Sequence, residues 1–184
     1  MPFFMEKEIA FLGAALEDPR RPVAAIVGGA KVSDKIAVVE RFIGMVDVLL
    51  IGGGMANTLL KARGFAVGDS LVEDEKLDVA REVIAKARQR ELTLLLPIDV
   101  VRADRCAADA GRQTVPVEQV PQGWRIMDIG PQTVKAFDEA LAHAQTIIWN
   151  GTLGVAEMPD KIRGDRVIAC GVGQTHFACT LCTF

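Results

Sequence analysis

Three continuous apolar runs that each end at glycine constrain the fold of this chain more than any other feature. They are Val23–Val27 before Gly28-Gly29, residues 46–51 before Gly52-Gly53-Gly54, and residues 146–149 before Asn150-Gly151. Because the runs are continuous and do not alternate with polar residues, they predict strands that are buried on both faces of a sheet.

Helical patterns separate these runs. A helix capped by Ser33 or Asp34 is expected after the first, and a short helix that ends at Gly64 after the second. Amphipathic helices are predicted over residues 75–90 and from Pro131 onward, with further strands at 92–96 and 167–169. Strands that alternate with helices predict parallel βαβ units, and therefore a three-layer α/β/α, Rossmann-like sheet. Residues 100–125 carry no regular pattern and are expected to be irregular.

Composition narrows the classes of function. The chain has 184 residues, of which 50% are hydrophobic, 5% are aromatic and the net charge is −3. The lack of a basic field and of aromatic stacking platforms argues against nucleic-acid binding. No run approaches the roughly 20 apolar residues of a membrane span, and no leader is visible, so a cytoplasmic protein is expected.

The C-terminal cysteines raise the question of a metal site. Cys170, His176, Cys179 and Cys182 lie close together in the sequence. Their spacing matches none of the usual paired zinc patterns, which favours incidental cysteines over a metal centre. Asp99 and Asp104 are likewise predicted to be turn and cap residues, and no metal ligand is assigned.

The glycine-ended strands also point to a ligand. In open parallel sheets, ligands bind beyond the carboxyl ends of the strands, where glycines let backbone N–H groups approach an anion or a flat ring. Lys31 and Lys35 follow the first loop and could bind phosphate. The alternative is that the glycines only make tight turns with close helix–sheet packing. Neither a Walker-type loop nor a complete dinucleotide-binding fingerprint is present.

Six motifs occur in order: "MEKEIAFLGAAL", "GGAKVSDKI", "IGGGMANT", "LPIDVVRAD", "MDIGPQT" and "WNGTLGVAE". With them the chain resembles the C-terminal, nucleotide-binding half of phosphoglycerate kinase over residues 1 to about 158. The resemblance implies phosphoryl transfer from 1,3-bisphosphoglycerate to ADP, with Mg. It implies a hinge-like helix over residues 1–16, a nucleotide-binding domain over 17–164 and an atypical tail over 165–184.

The resemblance also assigns site residues. Lys35 would follow the transferring phosphoryl group and Lys31 would lie near the nucleotide phosphates, so these two lysines are the catalytic candidates. The nucleotide-binding candidates are Gly29, Ala30, Lys31, Lys35, Gly53, Gly54, Asn150, Gly151, Val155 and Glu157. Among them Val155 would pack near the adenine, and Glu157 would hydrogen-bond the ribose hydroxyls.

Departures from the family pattern leave two further functions open. The family's Gly-Gly-Gly-Asp loop is not found after residue 158, so the sheet is expected to be incomplete at its C-terminal edge. Ile126 stands where the family has glycine and could crowd the adenine slot, while Thr152 and Ala156 replace a proline and an aromatic residue. Because the resemblance covers only the C-terminal half of the family's proteins, a separate N-terminal, substrate-binding half is an expected partner. The alternatives are a nucleotide-binding fragment or degenerate gene product without independent kinase activity, and a Rossmann-like dehydrogenase or another α/β binding protein.

Overall fold

The computed structural model describes residues 19–107, 109–155, 168 and 176–180. Its strands are β1 (Val23–Val27), β2 (Val48–Ile51), β3 (Thr93–Leu95), β4 (Asp99–Ala103), β5 (Arg112–Pro116), β6 (Arg125–Ile129), β7 (Thr146–Asn150) and β8 (His176–Thr180). Its helices are α1 (Val32–Ile43), α2 (Gly53–Ala62), α3 (Leu77–Gln89) and α4 (Pro131–Leu141), with a 3-10 turn at Asp74–Lys76 before α3. The predicted strand and helix positions around the three glycine loops are confirmed.

Five of the strands form one parallel sheet in the order β3-β2-β1-β7-β8. The predicted α/β class with a parallel sheet is therefore correct. From β1 the chain moves outward through β2 to β3, and it later returns to the other side of β1 as β7. The strand order thus reverses between β1 and β7, which makes this the point where ligands bind in open α/β sheets.

Strand β1 shows why the sheet needs helices on both faces. All five of its residues are fully buried. Val23, Ala25 and Val27 pack into a core with α1, α2 and α3, whereas Ala24 and Ile26 pack into a second core with α4. Side chains alternate between the faces of a strand, so a strand in this position must be apolar throughout. This accounts for the continuous run in the sequence.

The prediction of an irregular segment over residues 100–125 is wrong. Strands β4 and β5 lie in this segment and form a second sheet with β6, in the antiparallel order β5-β4-β6. The sequence of β5, Arg-Gln-Thr-Val-Pro, is polar and largely exposed. A polar edge strand carries almost no periodic signal, because its partner strand holds it in place and no buried face is required.

The tail also differs from expectation. Residues 167–169 were predicted to form a strand, but Ile168 is helical and lies in the second core. A short apolar triplet does not distinguish a buried helix from a buried strand. The segment that extends the sheet is instead β8, which pairs in parallel with β7. His176 and Cys179 therefore belong to a strand, while Cys170 and Cys182 lie outside the described residues.

Some expectations stay predictions. The leading helix over residues 1–16 lies outside the described residues, and the domain boundaries at 16/17 and 164/165 are not tested by the fold. Among the residues that are described, none of the helices has the length and apolar character that crossing a bilayer requires.

Candidate functional site

The three glycine loops form one hydrogen-bonded edge. The N–H of Gly28 donates to the Asn150 carbonyl at 2.8 Å, and the N–H of Gly29 donates to the Thr152 carbonyl at 3.0 Å. The N–H of Gly53 donates to the Leu153 carbonyl at 2.9 Å, which links the loop after β2 to the same segment. The sequence expectation that three distant loops meet at one place is therefore met by the structure.

Close backbone approach explains why two of these positions are glycine. A Cβ at Gly28 would lie 2.1 Å from the Thr152 carbonyl oxygen, and one at Gly151 would lie 2.2 Å from the Gly28 carbonyl oxygen. Gly151 also has a φ of +88°, which side chains rarely adopt. These glycines are thus required for loop packing whether or not a ligand binds, as the alternative interpretation of the motif stated.

A cavity of about 210 Å³ opens beside this edge, between the loops and the β4–β6 sheet. Its walls are mostly apolar or backbone. They are formed by Gly29, Ala30, Gly53, Gly54, Ala56, Asn57, Leu71, Pro97, Val100, Ile126, Met127, Asp128, Ile129, Thr152, Leu153, Gly154 and Val155. A concave site with apolar walls and few polar groups suits a flat organic ring. Five of the predicted nucleotide-binding residues are in this wall: Gly29, Ala30, Gly53, Gly54 and Val155.

The two predicted lysines flank the Gly29 end of the cavity without lining it. Lys31 is exposed and is the residue at which α1 begins. Lys35 lies one turn into α1 and is partly exposed, and a Cβ built on Gly29 would be 3.9 Å from its Cε. Both ammonium groups therefore belong to the surface next to the first glycine loop.

A carboxyl group also lines the cavity. Asp128 on β6 is 7% exposed and lines the wall. Its Oδ1 accepts a hydrogen bond from the N–H of Ile129 at 2.8 Å, and Gly154 packs so closely that a Cβ there would lie 2.4 Å from the carboxyl group. The cavity therefore has two lysines beside its Gly29 end and a carboxyl group in its wall, so an anionic part of a ligand is favoured near the lysines and disfavoured next to Asp128.

The beginning of α1 is held by a residue that the sequence did not reveal. Ser33 and Asp34 were predicted as caps, but α1 begins at Val32 and has no cap from its own preceding residue. Instead, the carboxylate of Glu73 accepts from the Ser33 N–H at 3.0 Å and from the Ser33 hydroxyl at 2.5 Å. Ser33 fails as a cap because it already lies in the first turn, where its hydroxyl points to Glu73.

The environment of Glu73 keeps it ionised. The residue is 8% exposed, and burial raises the pKa of its carboxyl group. Hydrogen bonds from Ser33 and from the Val32 N–H, together with the charge of Lys31, outweigh burial and leave the pKa below its ordinary value. The carboxylate thus occupies the positive end of the α1 dipole and fixes the helix that carries both lysines.

Two further predicted residues, Asn150 and Gly151, do not line the cavity. Asn150 and Gly151 are buried at the end of β7, where the Trp149 indole N–H donates to the Gly151 carbonyl at 2.7 Å. Glu157 lies outside the described residues. Ile126 does line the cavity, as expected from its position in the sequence, and its N–H donates to the Ser70 hydroxyl at 2.8 Å.

Sequence reasoning missed several residues of the wall, among them Asn57, Leu71 and Asp128. Asn57 stands in the quoted motif "IGGGMANT", where it is a buried polar residue in a largely apolar helix and could have been singled out. Leu71 belongs to a segment without periodicity, and nothing in its local sequence indicates that it reaches the cavity. Asp99 lies in β4 and not in a turn, and its carboxylate accepts from the backbone N–H groups of Gln132 and Thr133, so it caps the distant helix α4.

Comparison with known proteins gives a consistent result. The family model described as "Phosphoglycerate kinase" matches residues 1–182. The phosphoglycerate kinase of Chloroflexus aggregans is 52% identical over 172 residues, which are 94% of this chain and 43% of the relative. That of Acaryochloris marina is 54% identical over 167 residues, which are 91% of this chain and 42% of the relative.

Solved structures of phosphoglycerate kinases are also similar to this chain. The phosphoglycerate kinase structure from Coxiella burnetii superposes with a TM-score of 0.87 at 39% identity, covering 95% of this chain and 45% of that one. The Pyrococcus horikoshii structure gives a TM-score of 0.73 at 26% identity, covering 94% of this chain and 44% of that one. The chain therefore spans less than half the length of the relatives that it matches.

Fold and site together define an α/β protein of the doubly wound kind, with a ligand crevice at the point where its strand order reverses. The match over nearly the whole sequence then makes the assignment specific: the chain belongs to the phosphoglycerate kinase family. It corresponds to the C-terminal half of that family's proteins.

Proposed function

We propose that this chain is the nucleotide-binding half of a phosphoglycerate kinase and that its cavity binds ADP or ATP. The observation that carries the proposal is the largely apolar cavity at the joined loops, with Lys31 and Lys35 beside its Gly29 end. The base would enter the apolar part between Gly53-Gly54 and Val155. The phosphates would then extend toward the lysines.

The chemistry we propose is phosphoryl transfer from 1,3-bisphosphoglycerate to ADP in the cytoplasm. Such a transfer depends on positioning and on neutralising charge on the equatorial oxygens, and it needs little acid–base chemistry from the protein. Lys35 would bind the transferring group and Lys31 the nucleotide phosphates. Both are placed by α1, whose first turn Glu73 holds.

Magnesium would accompany the nucleotide. Mg²⁺ in kinase sites is bound mainly by phosphate oxygens and waters, with one or two carboxylates. Within residues 19–107, 109–155 and 168, no group of three or more His, Cys, Asp or Glu side chains could hold a metal ion. We assign no described residue as a magnesium ligand, and no step above depends on one.

The second substrate would be bound elsewhere. The relatives are more than twice as long as the matched region, since the match covers 43% of the first of them. We propose that a separate N-terminal half binds the phosphoglycerate and completes the site. The chain by itself is then expected to bind nucleotide and to show little turnover.

Calorimetric titration of the full chain with Mg-ADP tests the proposal. We expect micromolar binding, about −8 kcal/mol, and a loss of at least about tenfold in affinity on Lys35→Ala. Lys135→Ala is the matched control, because Lys135 is an exposed lysine on α4 that pairs with Glu139 at 3.8 Å. A folded chain that binds NAD but does not bind ADP would favour a dehydrogenase and refute the proposal.

Turnover is measured separately. A coupled ATP-forming assay, run with and without a supplied N-terminal half of a relative, is expected to give activity only for the combination. Turnover by the lone chain would contradict the proposed division of the site between two halves.

A further inference from the structure

Glu73 joins the two helices that begin beside the cavity. Its carboxylate accepts from the N–H and the hydroxyl of Ser33, in the first turn of α1, at 3.0 and 2.5 Å. Its own N–H donates to the hydroxyl of Thr58, on α2, at 3.2 Å. Gly53 begins α2 and lines the cavity, and Ala30 lines it just before α1. A single residue therefore sets how far apart these two helices lie at the cavity.

The segment that carries Glu73 is itself fixed to the cavity wall. Residues 70–73 form neither helix nor strand, so their position depends on side-chain contacts. The N–H of Ile126 donates to the hydroxyl of Ser70 at 2.8 Å. Both Ile126 and Leu71 line the cavity. The hydrogen bonds from Glu73 to α1 thus start from the wall against which a base would pack.

The distance between this wall and the two lysines matters for a ligand with a ring at one end and phosphates at the other. Lys31 directly precedes α1 and Lys35 lies one turn into it, with Ser33 midway between them in the sequence. A lysine side chain is long and flexible, so its ammonium group binds phosphate well only when the backbone beneath it is held in place. The hydrogen bonds of Ser33 to Glu73 hold that part of the backbone.

We propose that Glu73 is a positioning residue for the diphosphate end of the nucleotide, because it holds Lys31 and Lys35 at a fixed distance from the apolar wall. This inference rests on the proposed function, since it assumes that an adenine nucleotide occupies the cavity. Charge alone predicts the opposite effect. The Glu73 carboxylate is close enough to Lys31 for their charges to interact, so it opposes phosphate binding, and its removal would then tighten the binding of ADP.

The test compares ADP with adenosine, which lacks the phosphates, by titration calorimetry of the full chain with Mg²⁺. Glu73→Ala removes both hydrogen bonds to Ser33 and keeps the backbone N–H that donates to Thr58. We expect its affinity for ADP to fall about tenfold, the equivalent of one hydrogen bond to a charged group, while adenosine binds as before. Glu75→Ala is the matched control, because it removes an exposed glutamate two residues away, and it should leave both affinities unchanged.

Ser33→Ala gives a second measurement that keeps the charge and the N–H of residue 33 and removes only the hydroxyl. Its affinity for ADP should fall about threefold, again without a change for adenosine. If Glu73→Ala does not fold, as judged by circular dichroism at the temperature of the titration, this variant decides. Unchanged ADP binding by a folded Ser33→Ala would then overturn the inference.

Dependence on the lysines distinguishes positioning from a general loosening of the cavity. In a Lys31→Ala/Lys35→Ala background there is no ammonium group left to position. Glu73→Ala should therefore change the affinity for ADP by less than about twofold in that background, compared with about tenfold in the wild-type background.

The outcomes separate this inference from the proposed function. Unchanged or tighter ADP binding by a folded Glu73→Ala chain overturns the inference alone. An equal loss for ADP and adenosine, the same loss in Glu75→Ala, or a full loss that persists without the lysines also overturns it. A folded wild-type chain that binds neither ADP nor adenosine overturns the proposed function and this inference with it.

Discussion

Replacing Glu73 by glutamine is expected to destabilise the protein in a way that depends on pH. Glutamine can still accept the hydrogen bond from the Ser33 hydroxyl, which lies 2.5 Å from Oε1 of Glu73. Its Nε2 is a donor, however, and would face the Ser33 N–H, which now donates to Oε2 at 3.0 Å. The variant also removes the negative charge from the N-terminal end of α1.

The magnitude follows from these losses. A hydrogen bond to a charged group contributes about 1.5–3 kcal/mol, and a carboxylate at a helix N-terminus about 0.3–1 kcal/mol. Glu73 is only 8% exposed, so the neutral variant no longer has the free-energy cost of burying a charge, and this offsets part of the loss. We expect a net loss of about 2 kcal/mol near neutral pH. For a chain of this length this corresponds to a melting temperature lower by roughly 4–8 °C.

The sign of the pH dependence comes from the lowered pKa of Glu73. A carboxyl group whose pKa is lower in the folded state contributes stability above its ordinary pKa of 4.5. That contribution is lost as the pH falls through the lower, folded-state pKa. The difference between wild type and Glu73→Gln should therefore be full near pH 7 and shrink at about pH 4 and below.

Urea unfolding followed by circular dichroism, at about pH 7 and about pH 4, measures this difference. Glu75→Gln is the matched control, since Glu75 is an exposed glutamate two residues away, and it should leave both values unchanged. Ser33→Ala in both backgrounds should show a coupling of about 1 kcal/mol with Glu73. A loss that is the same at both pH values, or no coupling, would refute the role of Glu73 as the cap of α1.

Three further substitutions test the packing around the site. Gly28→Ala should destabilise the protein by at least about 3 kcal/mol in a thermal melt, because its Cβ would lie 2.1 Å from a backbone oxygen. Gly111→Ala is the control and should be well tolerated in the same measurement, since its Cβ would first meet a flexible side chain at 3.5 Å. Asp99→Ala should lower stability by about 2–3 kcal/mol in urea unfolding, since it leaves buried N–H groups of α4 without an acceptor; a loss below about 0.5 kcal/mol would contradict this. Phe137→Ala, at a side chain 1% exposed in the second core, should destabilise by about 3–5 kcal/mol, and a native-like melting temperature would show that this core is not needed.

The continuous apolar runs in the sequence predicted the parallel sheet because residues that are buried on both faces of a sheet must be apolar. Strand β1 is apolar at every position since each residue faces one of the two cores. Pro131 marked the start of α4 because a proline fits the first turn, where an N–H is not needed. Where the burial or the position of a single residue in its strand or helix determines the residue type, the sequence alone is sufficient to predict that strand or helix.

The same reasoning predicts that the three glycine loops lie together. Parallel strands end at the same edge, so loops after β1, β2 and β7 must be near one another. Five of the ten predicted nucleotide-binding residues line the cavity, which agrees with that expectation. The lysines lie beside it because they belong to the helix that follows the first loop.

Tertiary structure decided the features that depend on partners far away in the chain. Glu73 caps a helix whose Ser33 is 40 residues earlier, and Asp99 caps one whose Thr133 lies 34 residues later. Strand β5 has no pattern of its own and exists through its pairing with β4. The amide of Asn57 is oriented by the Leu71 carbonyl, which lies 14 residues later and accepts from its Nδ2. The local sequence does not predict these long-range hydrogen bonds and strand pairs, because they stabilise the protein only after folding has brought both partners together.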